Sequence, residues 1–403
     1  MRPMTLTRLE RWVWYLFLAT CAWQTRLILW QADLHFVEWR SIPLYASDVL
    51  MFGMFGLAVV QTWRKKLNLD HLDWTLIGFL VVSLISVGIS DQRIVSLYAW
   101  ARLLQCALLF WYVRYRAKTF SFDIGAVAFV LGTLFQGWLG MWQYFLQHDV
   151  GLRWLGETLL TTHLPGIAVF YDLAGTKILR AYGTLPHPNV LAVYLVAALW
   201  VLGYLYMKHR HWIYGVAGTI MLWALYLTFS RTMIAVGLLA TAIYALIVVR
   251  QHLKPILIWW VVVTAIFGAV FWRQIAARSM ISPQDEAVTL RVYYAKEALR
   301  VNWTGVGIGN FVTWMKRADP GHPDWFYQPA HNLYLLVYSE TGLVGILTFV
   351  ALLVLVIRSA IRTRRWGWLT VLAAFLIMAL FDHFFWTLQQ GRIIIWITLA
   401  LMS

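Results

Sequence analysis

Residues 331–357 read HNLYLLVYSETGLVGILTFVALLVLVI, an apolar run that a histidine opens and one carboxylate, Glu340, interrupts. A helix that crosses a bilayer needs about 20 predominantly apolar residues, and this run supplies them. Ionisable groups inside a membrane are energetically costly, so they usually serve transport, ion conduction or chemistry. The run therefore predicts a membrane span and marks His331 and Glu340 as candidate functional residues.

The composition extends this interpretation to the whole chain. Of the 403 residues, 61% are hydrophobic and 13% are charged, which is too much apolar surface for soluble domains to bury. The 25 Trp and 19 Tyr residues suit the two membrane interfaces, where amphipathic rings settle. We therefore expect an all-α integral membrane protein.

Hydropathy divides the chain into about twelve transmembrane helices in a single polytopic domain, residues 1–403. The predicted spans are 11–30, 45–63, 72–90, 94–113, 122–146, 185–207, 212–229, 231–249, 255–272, 331–357, 366–384 and 388–402. Two long connections, 147–184 and 273–330, interrupt the pattern, and the second lies before the tenth span. These loops are the expected site-bearing region.

The distribution of charge orients the spans. The formal net charge is +15, and most Lys and Arg residues lie in short clusters that follow an even number of spans. The clusters are Arg2, Arg8, Arg11; Arg64, Lys65, Lys66; Arg114, Arg116, Lys118; Lys208, Arg210; Arg250, Lys254; and Arg358, Arg362, Arg364, Arg365. The positive-inside rule makes these loops and both termini cytoplasmic, so the charge gives no reason to expect nucleic-acid binding.

The two long loops, predicted to lie outside, keep basic residues against this bias. They are Arg153, Lys177, Arg180, Arg273, Arg278, Arg291, Lys296, Arg300, Lys316 and Arg317. Taken singly, each is readily explained as a solvated loop charge. Their clustering favours an anionic ligand on the outer side.

Two short motifs place arginines at predicted helix ends. Residues 180–189 read RAYGTLPHPN, which puts Arg180 just before a proline-started helix whose free N–H groups favour an anion. Residues 228–232 read TFSRT and put Arg231 in the turn between two spans. The alternatives are a capped helix start and arginines that snorkel to the interface.

The tenth span begins with a candidate base. Neutral imidazole accepts protons near neutral pH, so His331 suits general-base catalysis, and Arg291 lies in the preceding amphipathic segment, residues 284–301. Glu340 follows nine residues later, on roughly the opposite helix face, so we expect it to pair with another span. In the alternative interpretation, His331 caps the helix at the interface and Glu340 is a buried structural acceptor.

We expect no metal and no cofactor. Asp382-His383 offers two adjacent ligands without a third, and the glycine turn at residues 305–309 follows no predicted strand. There is no Walker motif, so energy must come from an activated substrate or a gradient.

Taken in order, these motifs resemble the bacterial O-antigen ligase and polymerase superfamily, most strongly over residues 175–345. They are Arg180-x-x-Gly183-Thr-x-Pro-His187-Pro-Asn189, Ser230-Arg231-Thr232, Arg291, Gly305-x-Gly307-x-Gly309-Asn310, His331-Asn332-x-Tyr334 and Glu340-Thr-Gly342. The twelve-span layout with a large outer loop before the tenth span supports the resemblance. It implies transfer of a glycan from undecaprenyl diphosphate to an acceptor, without a nucleotide or a required metal.

The resemblance also implies roles for individual residues. His331 matches the family's catalytic histidine, Arg180 and Arg291 match its diphosphate-binding arginines, and Arg231 is placed with them. The supporting residues are His187, Asn189, Asn332, Tyr334 and Glu340.

The acceptor decides between related activities. A ligase transfers to lipid A-core oligosaccharide, a polymerase extends another carrier-linked glycan, and a protein O-oligosaccharyltransferase modifies protein. The single large outer loop before the tenth span and the motif at residues 183–189 favour the ligase. We expect it in the bacterial cytoplasmic membrane with its site facing the periplasm. Two other classes of protein are the alternatives: a transporter for lipid-linked polysaccharide and a structural membrane partner.

Overall fold

A computed structural model describes residues 5–33, 36–63, 68–248, 253–279 and 286–403. Within these ranges the chain forms sixteen α-helices and two antiparallel strand pairs. The helices are α1 (Leu6–Thr20), α2 (Ala46–Thr62), α3 (His71–Val87), α4 (Arg93–Tyr115), α5 (Phe122–Leu146), α6 (Pro188–His209), α7 (Ile213–Leu227), α8 (Arg231–Val248), α9 (Leu253–Val270), α10 (Trp272–Ser279), α11 (Glu286–Arg300), α12 (Phe311–Ala318), α13 (Leu333–Arg362), α14 (Trp366–Met378), α15 (Phe384–Thr387) and α16 (Gln389–Met402). The strands are β1 (Arg26–Gln31) with β2 (Ser41–Tyr45), and β3 (Val169–Tyr171) with β4 (Lys177–Leu179). Residues 284–285 and, from the basic clusters, Arg2, Arg64, Lys65, Lys66 and Arg250 lie outside the described residues.

The predicted first span, 11–30, is wrong in its second half. Helix α1 ends at Thr20, and residues 26–31 form β1, which pairs with β2. The cause is polar sequence within the apolar run: Arg26 pairs with Glu38 at 2.5 Å, a contact that a continuous helix would not make. Each of the other predicted spans contains a helix.

Four helical stretches in the described part are long and apolar enough to cross a membrane: Arg93–Thr119, Phe122–Leu146, Pro188–His209 and Leu333–Arg362. Helices α9 and α10 meet at an 85° bend and add a fifth if they form one broken span. The chain is therefore a mostly helical, multi-pass membrane protein. The count of twelve spans stays a prediction, since several apolar helices, such as α14, are shorter than a full crossing.

Contacts divide the chain into two compact units. Unit 1 comprises Met1–Arg11, Arg26–Phe120 and Gln284–Ser403, and unit 2 comprises Trp12–Thr25 and Ser121–Pro283. The predicted loop 147–184 lies in unit 2, and most of the loop 273–330 lies in unit 1. One polytopic domain with these loops as its site-bearing region stays a prediction.

A buried ion pair joins three helices of unit 1. Arg102 on α4 contacts Asp48 on α2 at 2.5 Å, and both side chains are buried. Gln105 and, from α16, Gln389 also donate to this carboxylate. Inside an apolar bundle such a charge persists because every partner is supplied by the protein.

Helix α13 is interrupted at Gly342, whose φ of 73° and ψ of −174° are not helical. The glycine turn fills the break: the N–H of Gly307 donates to the carbonyl of Glu340 at 3.0 Å, and Leu343 donates to Trp303 at 2.8 Å. A Cβ on Gly342 would lie 2.6 Å from two carbonyl oxygens. The glycines therefore allow a close approach of backbones within unit 1.

In unit 2, α5, α6 and α7 pack against one another, and α8 packs against α6. A small residue allows α5 to approach α1 closely, because a Cβ on Gly132 of α5 would lie 2.0 Å from the carbonyl oxygen of Ala19. This unit also carries the hairpin of β3 and β4.

Candidate active site

His331 is fixed where α14 ends and α13 begins. The next residue, Asn332, caps α13 by accepting the N–H groups of Tyr334 and Leu335 at 3.0 and 3.1 Å. Its amide nitrogen donates to the carbonyl of Leu380 at 3.2 Å. Asn332 therefore holds the backbone next to His331 against the end of α14.

Aromatic rings enclose the His331 imidazole. Tyr294 of α11 stacks on it with ring centroids 5.7 Å apart, and His383 meets it edge-on at 4.8 Å. Trp39 packs edge-on against His383 at 5.1 Å. Nδ1 of His331 is buried and makes no hydrogen bond to the described residues. A lone pair held this way is available to a ligand that brings its own donor.

Electrostatics keep both imidazoles neutral. Burial lowers the pKa of His331 below its ordinary value of 6.5; the carboxylate of Asp382 opposes this shift, whereas the charge of Arg291 adds to it. Burial and the neighbouring His331 lower the pKa of His383 to about 3. A neutral imidazole at neutral pH can accept a proton, which is the state a general base requires.

Arg291 lies on α11, less than one turn before Tyr294. Its half-buried guanidinium makes no hydrogen bond or ion pair to any residue in the described ranges, although its charge acts on both His331 and His383. An arginine with open donors beside a neutral imidazole suits an anionic group, because guanidinium binds phosphate through paired N–H donors.

Glu340 does not contact His331. Its carboxylate accepts from the indole N–H of Trp386 on α15 at 2.7 Å and is fully buried. It lies in the wall of a cavity of about 70 Å³ that Trp39, Thr387 and Arg392 also line. Pairing with another element agrees with the prediction from helical spacing. Tyr334, by contrast, donates to the carbonyl of Leu376 at 3.0 Å and fastens α13 to α14.

A second group of predicted residues meets in unit 2, around the turn between α7 and α8. Buried Arg180 donates from Nε to the carbonyl of Thr228 at 2.6 Å and from Nη2 to the amide oxygen of Asn189 at 3.0 Å. Ser230 donates to the same amide oxygen at 2.7 Å, and His187 caps α6 by accepting the N–H of Asn189 at 3.1 Å. Arg180 is thus held inside the unit and does not snorkel.

Arginines gather at this turn. Arg231 is the first residue of α8, and Arg278 of α10 donates from Nε to the carbonyl of Phe229 at 3.3 Å. Carbonyls at the end of α7 carry partial negative charge, so Arg180 and Arg278 also stabilise the helix terminus.

The predicted site residues therefore form two groups. Arg291, His331, Asn332, Tyr334 and Glu340 lie in unit 1, and Arg180, His187, Asn189 and Arg231 lie in unit 2. Their convergence in one cleft stays a prediction.

Sequence reasoning missed the neighbours of His331. In the sequence, Asp382-His383 is only a pair of ionisable residues at the end of an apolar helix, and Tyr294 carries no signal of its own. No group of three or more His, Cys, Asp or Glu side chains that could hold a metal ion occurs in the part of the chain that the structure describes.

Comparison with known families addresses the same region. A family model described as O-antigen ligase matches residues 216–350. This match over about a third of the chain supports the resemblance to the O-antigen ligase and polymerase superfamily. The matched residues include Arg231, Arg291, His331 and Glu340, whereas Arg180, His187 and Asn189 precede them. No curated protein matches the chain.

Proposed function

We propose that this protein transfers a glycan from undecaprenyl diphosphate to an acceptor hydroxyl, with His331 as general base. The observation that carries the proposal is the buried, unpartnered Nδ1 of His331 beside the open guanidinium of Arg291. A base and an anion-binding group side by side are what glycosyl transfer from a diphosphate needs.

The chemistry follows from these groups. The acceptor oxygen attacks the anomeric carbon of the donor sugar, and His331 takes the hydroxyl proton. The new bond joins the acceptor oxygen to the sugar, while the bond between the sugar and the diphosphate oxygen breaks and its electrons leave with the diphosphate. Arg291, together with Arg180 and Arg231, neutralises the charge that develops on this leaving group.

We propose lipid A-core oligosaccharide as the acceptor, because the matching family model is described as O-antigen ligase. The reaction would take place at the outer face of the bacterial cytoplasmic membrane, with both termini in the cytoplasm. Another acceptor would make the same machinery a polymerase or a protein glycosyltransferase.

The test uses purified full-length protein with carrier-linked glycan and each of the three acceptor classes. His331→Ala should lower the turnover rate about 10²- to 10⁴-fold, the usual contribution of a general base, with donor affinity largely kept. Release of undecaprenyl diphosphate and formation of glycosylated acceptor are measured together.

His163→Ala serves as the control, since His163 is an exposed histidine of the other predicted outer loop. Normal turnover by a folded His331→Ala variant would remove the base assignment. Donor transport across proteoliposome membranes without any transfer product would favour the transporter alternative.

A further inference from the structure

Unit 2 contains a second, larger cavity that the proposed transfer reaction does not use. Its volume is about 320 Å³, and it lies between α6, α7, α8 and α9. Aromatic rings form much of its wall: Trp200, Tyr206, Trp212, Tyr244, Trp259 and Trp260.

Three indole N–H groups of this wall are hydrogen-bonded within the protein. That of Trp200 donates to Thr241 at 3.0 Å, that of Trp259 to Thr219 at 3.1 Å and that of Trp260 to Tyr226 at 3.3 Å. Most of the lining residues are apolar or aromatic, which suits an apolar chain and offers little to a sugar.

Most of the cavity lining lies away from Arg180 along these helices. The lining residues come from the second half of α6, from α7 as far as Leu225, from α8 between Leu238 and Ala245, and from the start of α9. The arginine group lies at the start of α6 and at the turn between α7 and α8. On α6 the lining begins at Leu199, ten residues after Asn189, which is about 15 Å along the helix.

Positive charge surrounds this end. Arg210 ends α6 with its guanidinium 5.5 Å over the ring of Tyr206, and Lys254 directly precedes Pro255, which lines the cavity. Neither cation makes a hydrogen bond or ion pair to the described residues, whereas nearby Lys208 is held by Asp123. These two cations, without a carboxylate partner among the described residues, are complementary to an anionic headgroup.

We propose that the cavity holds an acyl chain of an anionic phospholipid whose phosphate contacts Arg210 and Lys254. A carrier lipid fits less well, since its diphosphate is proposed to bind at the arginine group at the other end of α6. A zwitterionic phospholipid gains less from two cations, because its own positive charge opposes them.

The proposal is tested by native mass spectrometry of the full-length protein released from detergent micelles. The probes are phosphatidylglycerol and phosphatidylcholine with identical acyl chains, and no glycan donor is present. Each basic residue near an anionic lipid favours binding roughly fivefold. We therefore expect wild-type protein to retain phosphatidylglycerol at least tenfold more strongly, and Arg210→Gln with Lys254→Gln to abolish this preference.

A second variant tests the cavity itself. Ala245→Phe places a ring in the cavity and should remove binding of both lipids, whereas Ala242→Phe, on the same helix but outside the lining, should not. Thermal unfolding in the same detergent confirms that each variant is folded. If Ala245→Phe is misfolded, the charge variant still decides the outcome.

Two results would overturn the proposal. One is equal retention of phosphatidylglycerol by the wild type and the Arg210→Gln, Lys254→Gln variant. The other is displacement of the lipid by undecaprenyl phosphate to the same extent in the wild type and in the charge variant. That result would mean that the cavity binds the carrier tail.

Discussion

At the scale of single residues, the environment of His331 decides its chemistry. Burial and Arg291 hold the imidazole neutral, while Asp382 pulls its pKa in the opposite direction. The edge-on ring of His383, itself neutral, excludes water from one side. Burial therefore lowers the pKa of His331 most, and the opposing charges of Asp382 and Arg291 adjust it further.

This balance predicts opposite pH shifts for two substitutions. A negative charge favours imidazolium, so Asp382→Asn should lower the pKa of His331 and move the acid limb of the kcat profile to lower pH by about one unit. Removing a positive charge with Arg291→Gln should move the same limb to higher pH. The measurement is kcat against pH at saturating donor, from pH 5 to 8. Identical acid limbs in both variants would show that another group titrates.

The sequence predicted His331 and Arg291 because each residue carries its own chemical signal. It did not predict Tyr294 or His383 as their neighbours, because these contacts depend on how α11 and α15 pack against α13. Spacing along one helix is enough to separate Glu340 from His331, but it cannot identify Trp386 as the partner of Glu340. The sequence thus indicates which residues carry reactive groups, but it does not indicate which elements distant in sequence come into contact.

At the scale of elements, apolar runs predicted helices well and their interruptions poorly. Residues 122–146 form a helix with the predicted bounds, whereas 11–30 divides into α1 and β1. Gly342 has no apolar signature, so the break in α13 was not anticipated. The break exists because the glycine turn supplies hydrogen bonds to a backbone that would otherwise lack them in a membrane.

The break predicts a strong effect of a small substitution. Gly342→Ala should destabilise unit 1 by about 1–3 kcal/mol from backbone strain alone, because only glycine adopts this conformation readily. The close approach of the Thr304 and Trp303 carbonyls should add to that cost. Thermal unfolding in detergent measures it as a lower Tm. Gly53→Ala in helix α2 is the control, since a Cβ there meets nothing within 4 Å. Equal Tm values for the two variants would contradict the role assigned to Gly342.

At the scale of the whole molecule, the proposed reaction needs both groups of arginines to act on one donor. The groups belong to separate units, so neither completes the proposed clamp by itself. Sequence order suggested their common role, since the superfamily motifs run through both. A functional measurement of coupling can test that role without assuming any arrangement of the units.

Arg180→Ala and Arg291→Ala provide that measurement as a double-mutant cycle. A hydrogen bond to a charged group contributes about 1.5–3 kcal/mol, so each substitution should lower kcat/KM for the donor about 10- to 100-fold. If both guanidinium groups bind the same diphosphate, the double variant should differ from the product of the two single effects by more than about 0.5 kcal/mol. Arg300→Ala, on α11 with an exposed side chain, should leave kcat/KM unchanged. If the loss of kcat/KM in the double variant equals the product of the two single losses, Arg180 and Arg291 act at independent sites. Residues that share no ligand contribute independently.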